Sequence, residues 1–404
     1  MSIMRFQSLS ATRKCVLGLM LVLGLTAVTT PLAHAQTFSV VHDFGGSDGG
    51  WHLAGLIIDG AGNLYGTTSN GGTAEKGVVF KVDSRGQETV LYSFTGGADG
   101  ADPEASLVMD AAGNLYGTTN AGGTAGAGTV FKLTQKRKET VLYSFTGKTD
   151  GANPQAALVM DAAGNLYGTT SAGGASGNGT VFKLTPKKTG SKWREKVLYS
   201  FGSGTDGAIP VASVTLDTAG KLYGTTSAGG SSGYGTVFRL KPTKSGWKER
   251  ILYNFQGGDD GTIPYAGLIF DQSGNLYGAT TQGGTGAGGT VFEPTPSNGS
   301  WRFSVLYALP GWGIIAGPFR NLFLDASGKI YGTTHCDGAN EAGTVFELTP
   351  SSGAWTYTLL YDFTGGSDCQ YSYSNPVFDK HGSLYGTTNQ GGTNGWGVVF
   401  KITP

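Results

Sequence analysis

The sequence predicts an all-β protein, a seven-bladed β-propeller with four antiparallel strands per blade, closed by an N-terminal strand that completes the last blade. Three observations carry this. A motif recurs seven times at blade-length spacing, each repeat holds four short β runs without helical periodicity, and one strand-like run stands alone at the N-terminus. Aligning on "LYG" or "IYG" places a tyrosine at Tyr65, Tyr116, Tyr167, Tyr223, Tyr277, Tyr331 and Tyr385, at spacings of 51, 51, 56, 54, 54 and 54 residues. The phenylalanine of "GTVF" or "GVVF" follows each tyrosine by fifteen residues, from Phe80 to Phe400. A period near 54 with four strands fits a propeller blade, whereas one coil of a β-solenoid is about half as long.

Residues 1–35 read as a secretory signal peptide. Arg5, Arg13 and Lys14 precede the apolar run "CVLGLMLVLGLTAV", and Ala33 and Ala35 supply the small-x-small cleavage pattern, so the mature chain is expected to begin at Gln36. The run is short for a membrane span, Cys15 lies before it, where a lipid anchor is not expected, and no later segment is apolar enough to cross a bilayer. Removing the leader takes away three bases and no acids, turning 28 against 28 into 25 against 28. Such a balance attracts neither nucleic acid nor an anionic membrane. Seventy glycines in 404 residues would suggest disorder if scattered, but they recur between strand-like runs.

In the second repeat the four runs are "ASLVMD", "GNLYGTT", "GTVFKL" and "ETVLYSF". The mature chain opens with "FSVVHDF", Phe38 to Phe44, which matches the fourth run, and the last repeat stops at "GVVFKITP" without one. Adding the N-terminal run to the last repeat leaves no blade with a bare edge. Each loose, glycine-rich segment is then stable only between neighbouring blades.

The topology puts turns after strands one and three on one face, the bottom, and loops after strands two and four on the other, the top. Bottom "DxxG" turns carry Asp59, Asp110, Asp161, Asp217, Asp271, Asp325 and Asp379, read as caps of their own turns. One carboxylate per turn is too few for calcium. Trp193, Trp247, Trp301 and Trp355 each stand six residues before a fourth-strand tyrosine and read first as packing residues.

The repeated "GNLYGTT" and "GTVF" make the chain resemble the GloVer tandem-repeat proteins over nearly all of its mature length. The resemblance implies an exported, propeller-like bacterial repeat protein with no assigned activity. Members of that group often carry a C-terminal sorting or anchoring tail, whereas this sequence stops at "KITP", so free secretion or a periplasmic location is expected. The "D..GNLYG" turn is also similar, more remotely, to that of NHL-type propellers, which supports the fold and not a chemistry.

Positions that depart from the repeat are where a ligand is expected, and most lie on top. Trp51 and His52 follow "GGSDGG"; Trp312 sits in "LPGWG"; Tyr371 and Tyr373 lie in "CQYSYSNP"; Trp396 interrupts "GGTNGWG"; Tyr234 holds the matching place in blade four, and Tyr265 precedes blade five. Ring closure would bring Trp396 close to Trp51 and His52. Exposed aromatic faces suit the C–H faces of sugars or the side chains of a protein partner; equally, such rings cap blades or fill a channel mouth.

Cys336 and Cys369, the two cysteines after the leader, are expected to form a disulfide in an exported chain, worth about 3 to 4 kcal/mol by loop-closure entropy. A metal site from His335, Cys336 and Asp337 lacks donors. The top "GGxDG" loops carry Asp48, Asp99, Asp150, Asp206, Asp260 and Asp368, read as turn caps, because six equivalent carboxylates lack the asymmetry of a catalytic pair. No nucleophile elbow, zinc motif, phosphate loop or dinucleotide fingerprint is present, so no cofactor is expected. The leading expectation is a secreted, non-catalytic, monomeric propeller binding a glycan or an extracellular protein through its top loops. Its rivals are a polysaccharide hydrolase or lyase, with acids among Glu75, Asp102, Glu104, Asp259, Asp337 and Glu341, and a passive envelope protein.

Overall fold

In the computed structural model, residues 36–187, 193–202, 204–311, 316–368 and 370–404 are described. The signal peptide, Trp312 and Cys369 lie outside them. Seven four-stranded antiparallel sheets form the seven blades. Blade one comprises Ile57–Ile58, Leu64–Thr68, Val78–Val82 and Glu88–Ser93, and the following blades repeat that order. In blade seven, Val377–Phe378, Leu384–Thr387 and Val398–Thr403 are joined by Thr37–Asp43. That outer strand pairs antiparallel with Val398–Thr403, from Thr37 opposite Thr403 to Asp43 opposite Val398. The expected closure is therefore present.

The repeat residues explain the blade. The "LYG" glycine pairs with the "GTVF" phenylalanine on the next strand, as Gly117 does with Phe131. A Cβ on Gly117 would lie 2.7 Å from the Phe131 ring, so glycine here makes room for the ring that crosses it. Phe131 in turn meets Phe94 of blade one edge-to-face at 5.1 Å, and both are fully buried. The same pairing joins Phe44 to Phe80, Phe145 to Phe182, Phe201 to Phe238, Phe255 to Phe292 and Phe363 to Phe400. Where Leu309 replaces a phenylalanine, it packs in one cluster with Phe346. Each edge-to-face pair contributes about 0.5–1.5 kcal/mol beyond the area it buries.

The innermost strands are shorter than "ASLVMD" suggests, pairing over two residues only, Val108–Met109 in blade two. Above that pair the inner segment bonds to the neighbouring blade. The Ala105 carbonyl accepts the Thr67 hydroxyl of blade one at 3.0 Å instead of a ladder partner. Matching bonds run from Thr118 to Ala156, Thr169 to Ala212, Thr225 to Ala266, Thr333 to Ser374 and, across the closure, Thr387 to Ala54. Blade five carries Ala279 where the others have this threonine. The bottom aspartates cap their turns as expected: Asp59 Oδ1 accepts the Ala61 and Asn63 amides, and its Oδ2 accepts Asn63 Nδ2 and the Tyr65 hydroxyl. The top aspartates do likewise, Asp99 taking the Thr95 amide and the Tyr92 hydroxyl. The four hairpin tryptophans are half-buried and pack on neighbouring cores, Trp193 on Tyr116 and Trp301 on Tyr223.

Candidate functional site

The top mouth of the channel is framed by the loops that lead into each blade. Six of these loops hold a residue other than glycine in the left-handed region: Trp51, Asp102, Asn153, Ile209, Ile263 and Tyr371, with φ between 53° and 61°. For isoleucine, tryptophan or tyrosine this conformation is strained and persists only where surrounding bonds dictate it. Those bonds are visible. The Asp102 amide donates to the Lys76 carbonyl of the previous blade, and its own carbonyl accepts the Asn120 amide. Ile209, Ile263, Asn153 and Tyr371 are held in the same two-sided way. The frame is constant while its side chains differ, so these six loops present variable positions on a fixed support.

Just inside the crown stand Leu53, Glu104, Gln155, Val211, Tyr265, Phe319 and Tyr373. One arc is aromatic. Phe319 lies 5.2 Å from Tyr265 and 4.8 Å from Tyr373, ring centre to ring centre, and His335 lies 4.6 Å from Tyr373 and stacks on Tyr371 at 4.8 Å. In the neighbouring sector, Trp51 and Trp396 approach to 5.8 Å. Trp51 is 46% exposed, whereas Trp396 lies over Gly46 and Gly50, where any side chain would meet its indole. The opposite arc is polar, with Asp102, Glu104, Asn120 and Gln155; Asn120 Nδ2 donates to Glu104 Oε1 at 3.2 Å.

Arg320 spans the mouth between the arcs. It occupies the place of the inner-strand alanine of repeats one to five, and its guanidinium donates to the carbonyls of Leu53 at 2.7 Å, Glu104 at 2.9 Å and Gln155 at 3.5 Å, in blades one, two and three. Burial lowers its pKa, with Glu104 opposing that effect. Burial raises the Glu104 carboxyl despite Arg320, and raises Asp102 as well. Beneath Arg320 an axial cavity of about 200 Å³ is lined by Ser106, Ser213, Asn321 and Asn375. Ser106 donates to Asn375 across the channel, and Asn321 Nδ2 donates to Ser213. The mouth is thus floored by a fixed cation and walled by aromatic rings on one side and hydrogen-bonding groups on the other.

Several expected site residues lie elsewhere. His52 is fully buried, with its ring 4.1 Å from Phe44 and 5.6 Å from Phe80. It fills the place taken by Pro103 or Pro154 in other loops, and burial pulls its pKa down to about 3. It is a neutral packing residue rather than a surface group. Tyr234 is 44% exposed but covers Gly257, three blades from Trp396. Among the described residues Cys336 has no disulfide partner; its sulfur lies 2.6 Å from His335 Nδ1, and burial pushes its thiol pKa up to about 11. Its expected partner Cys369 lies outside the described residues. Asp337 is buried beside Thr334, and burial holds its carboxyl at about 6. Glu75 and Glu341 are exposed loop residues with positive φ. Sequence reasoning missed Arg320 and Phe319, although "GPFRNLF" departs from the repeat as plainly as any tryptophan does.

Among the described residues no helix is long and apolar enough to cross a membrane. The profile of the Gloeobacter/Verrucomicrobia repeat matches residues 27–219 and again 212–404. No curated protein matches the chain by sequence. Among solved structures, the extracellular domain of a one-component system of B. thetaiotaomicron superposes with a TM-score of 0.60 at 10% identity, over 90% of this chain and 40% of its own. This chain therefore spans about two-fifths of that neighbour. A protein from Bacteroides uniformis, named as a 6-phosphogluconolactonase, superposes with a TM-score of 0.52 at 16% identity, over 81% of this chain and 88% of its own. At these identities the likeness concerns the fold alone.

Proposed function

The chain belongs to the Gloeobacter/Verrucomicrobia repeat family, and from that premise we propose that it is a secreted binding module taking a glycan at the top mouth of its channel. The observation that carries this reading is the aromatic arc from Tyr265 to Trp51, held on lead-in loops whose backbone is fixed by bonds between neighbouring blades. Tryptophan and tyrosine faces accept the apolar faces of sugar rings, and Glu104, Asn120 and Gln155 on the far arc offer acceptors and donors to hydroxyl groups. Arg320 is committed to three backbone carbonyls, so its contribution is to hold the mouth rigid.

The test is a glycan array probed with the mature protein and with Trp51→Asn. Asparagine stands at the equivalent left-handed place, Asn153, and tolerates that backbone. A sugar-binding mouth requires the variant to lose array signal by about tenfold or more, the effect of removing one stacking platform, with an unchanged melting temperature. Equal signal from both proteins would refute the site. Turnover of a bound polysaccharide that disappears in Glu104→Gln would instead make the mouth catalytic.

A further inference from the structure

A second groove lies on the bottom face, where blades four and five meet. It encloses about 670 Å³ between the turns at Asp217 and Asp271 and the blade-five hairpin, and its lining includes Tyr223, Arg239, Phe270 and Trp301. That volume falls in the range of about 300–1,000 Å³ usual for small-molecule sites. The hairpin is fixed in place: Arg250 of blade four donates to the Gly299 carbonyl at its tip. Trp301 sits 5.8 Å from Tyr223.

The chemistry of this junction departs from the repeat. In blades one, two, three and seven, a lysine lies over the blade's tyrosine, as Lys132 does over Tyr116 at 5.2 Å. Blade four alone has an arginine there. Arg239 lies beside the Tyr223 hydroxyl, and its Nε is shielded from water with no acceptor. A buried guanidinium donor without a partner is costly. The nearby carboxylates do not satisfy it. Asp217 takes the Ala219 and Lys221 amides, Lys221 Nζ and the Tyr223 hydroxyl; Asp271 takes the Ser273 and Asn275 amides, Asn275 Nδ2 and the Tyr277 hydroxyl.

We propose that the groove between blades four and five is a second carbohydrate site, for an acidic sugar whose ring lies on Trp301 and whose anionic group is taken by Arg239. A guanidinium pairs with a planar carboxylate through two parallel N–H bonds, which lysine cannot reproduce. The indole supplies the apolar face that a pyranose ring needs. The site is independent of the top mouth, being on the opposite face.

The test is calorimetric titration of the mature protein with a galacturonate tetramer, a sulfated galactose tetramer and a neutral galactose tetramer. Arg239→Lys restores the residue found at this place in four other blades, so its fold is kept, and the melting temperature checks this. The expected result is binding of the galacturonate tetramer, weakened about tenfold or more in Arg239→Lys and unchanged in Trp51→Asn. Tighter binding of the sulfated tetramer, with the same loss in Arg239→Lys, would support the site and identify sulfate as the group recognised. Absence of binding up to about 10 mM, equal binding by Arg239→Lys, or equal affinity for the neutral tetramer would each overturn it. Loss in Trp51→Asn, with Arg239→Lys unaffected, would likewise overturn it and assign the binding to the top mouth.

Discussion

The outer rim offers a prediction about pH that can be worked from individual residues. Glu88, Glu139, Glu195 and Glu249 stand at one repeat position on the outer strands of blades one to four, each with an Oε1 that is buried and unpartnered. At that position in blades five to seven are Phe303, Tyr357 and Phe38, which stack on Tyr253, Tyr307 and Tyr361 of the preceding blade at 3.6, 5.3 and 4.0 Å. Glu139 thus occupies a place that elsewhere holds an aromatic ring, facing Tyr92 and Asp99. Its carboxyl is pushed from 4.5 up to about 7, by burial first and by Asp99 second. A folded pKa above the unfolded one means that protonation favours the fold: the contribution is complete below about 4.5 and is lost as pH rises through about 7. That span of about 2.5 in pH corresponds to at most about 3.4 kcal/mol at 1.36 kcal/mol for each. Solvent reaches part of the side chain, which reduces the working figure to about 1 kcal/mol. Glu139→Gln keeps the shape and removes the charge. Thermal unfolding should therefore show the variant about 1 kcal/mol more stable at pH 8, roughly 2 °C in melting temperature, with the two proteins converging near pH 4. Parallel curves at all pH values would refute the assignment of a buried, proton-holding carboxyl.

Two further predictions concern the frame. Thr67→Val removes the hydroxyl that donates to the Ala105 carbonyl of blade two, and leaving that buried acceptor unmet should lower stability by about 1–3 kcal/mol in denaturant unfolding. Deleting Thr37–Asp43 takes the outer strand from blade seven and bares the edge of Val398–Thr403; size-exclusion chromatography should show aggregation where the intact protein elutes as one species.

The frame was legible in the sequence because its causes are local and repeated. Glycine opposite phenylalanine, aspartate capping its own turn and a tyrosine reaching that aspartate all act within one or two strands, so one repeat explains the rest. The inner strand was read too long because its first residues turn to the neighbouring blade, as the Ala105 carbonyl does to Thr67, and spacing along one repeat does not reveal contacts between blades. The mouth was legible in part. Trp51 and Trp396 come together because closure was read correctly, yet His52, one residue on from Trp51, turns inward. In a left-handed turn successive side chains leave on different sides, and the prolines at the matching positions in other blades marked that place as a packing site. Arg320 escaped notice because its meaning lies in three carbonyls from blades one, two and three, contacts far apart in the chain.

The most direct test of the account is hydrogen–deuterium exchange of the mature protein with and without the best-bound array glycan. Slowed exchange in the top loops that carry Trp51, Glu104, Asn120, Gln155, Tyr265, Phe319, Tyr371, Tyr373 and Trp396 is the expected result. Protection confined to the bottom turns, or none in these loops at saturating glycan, would contradict a sugar-binding mouth.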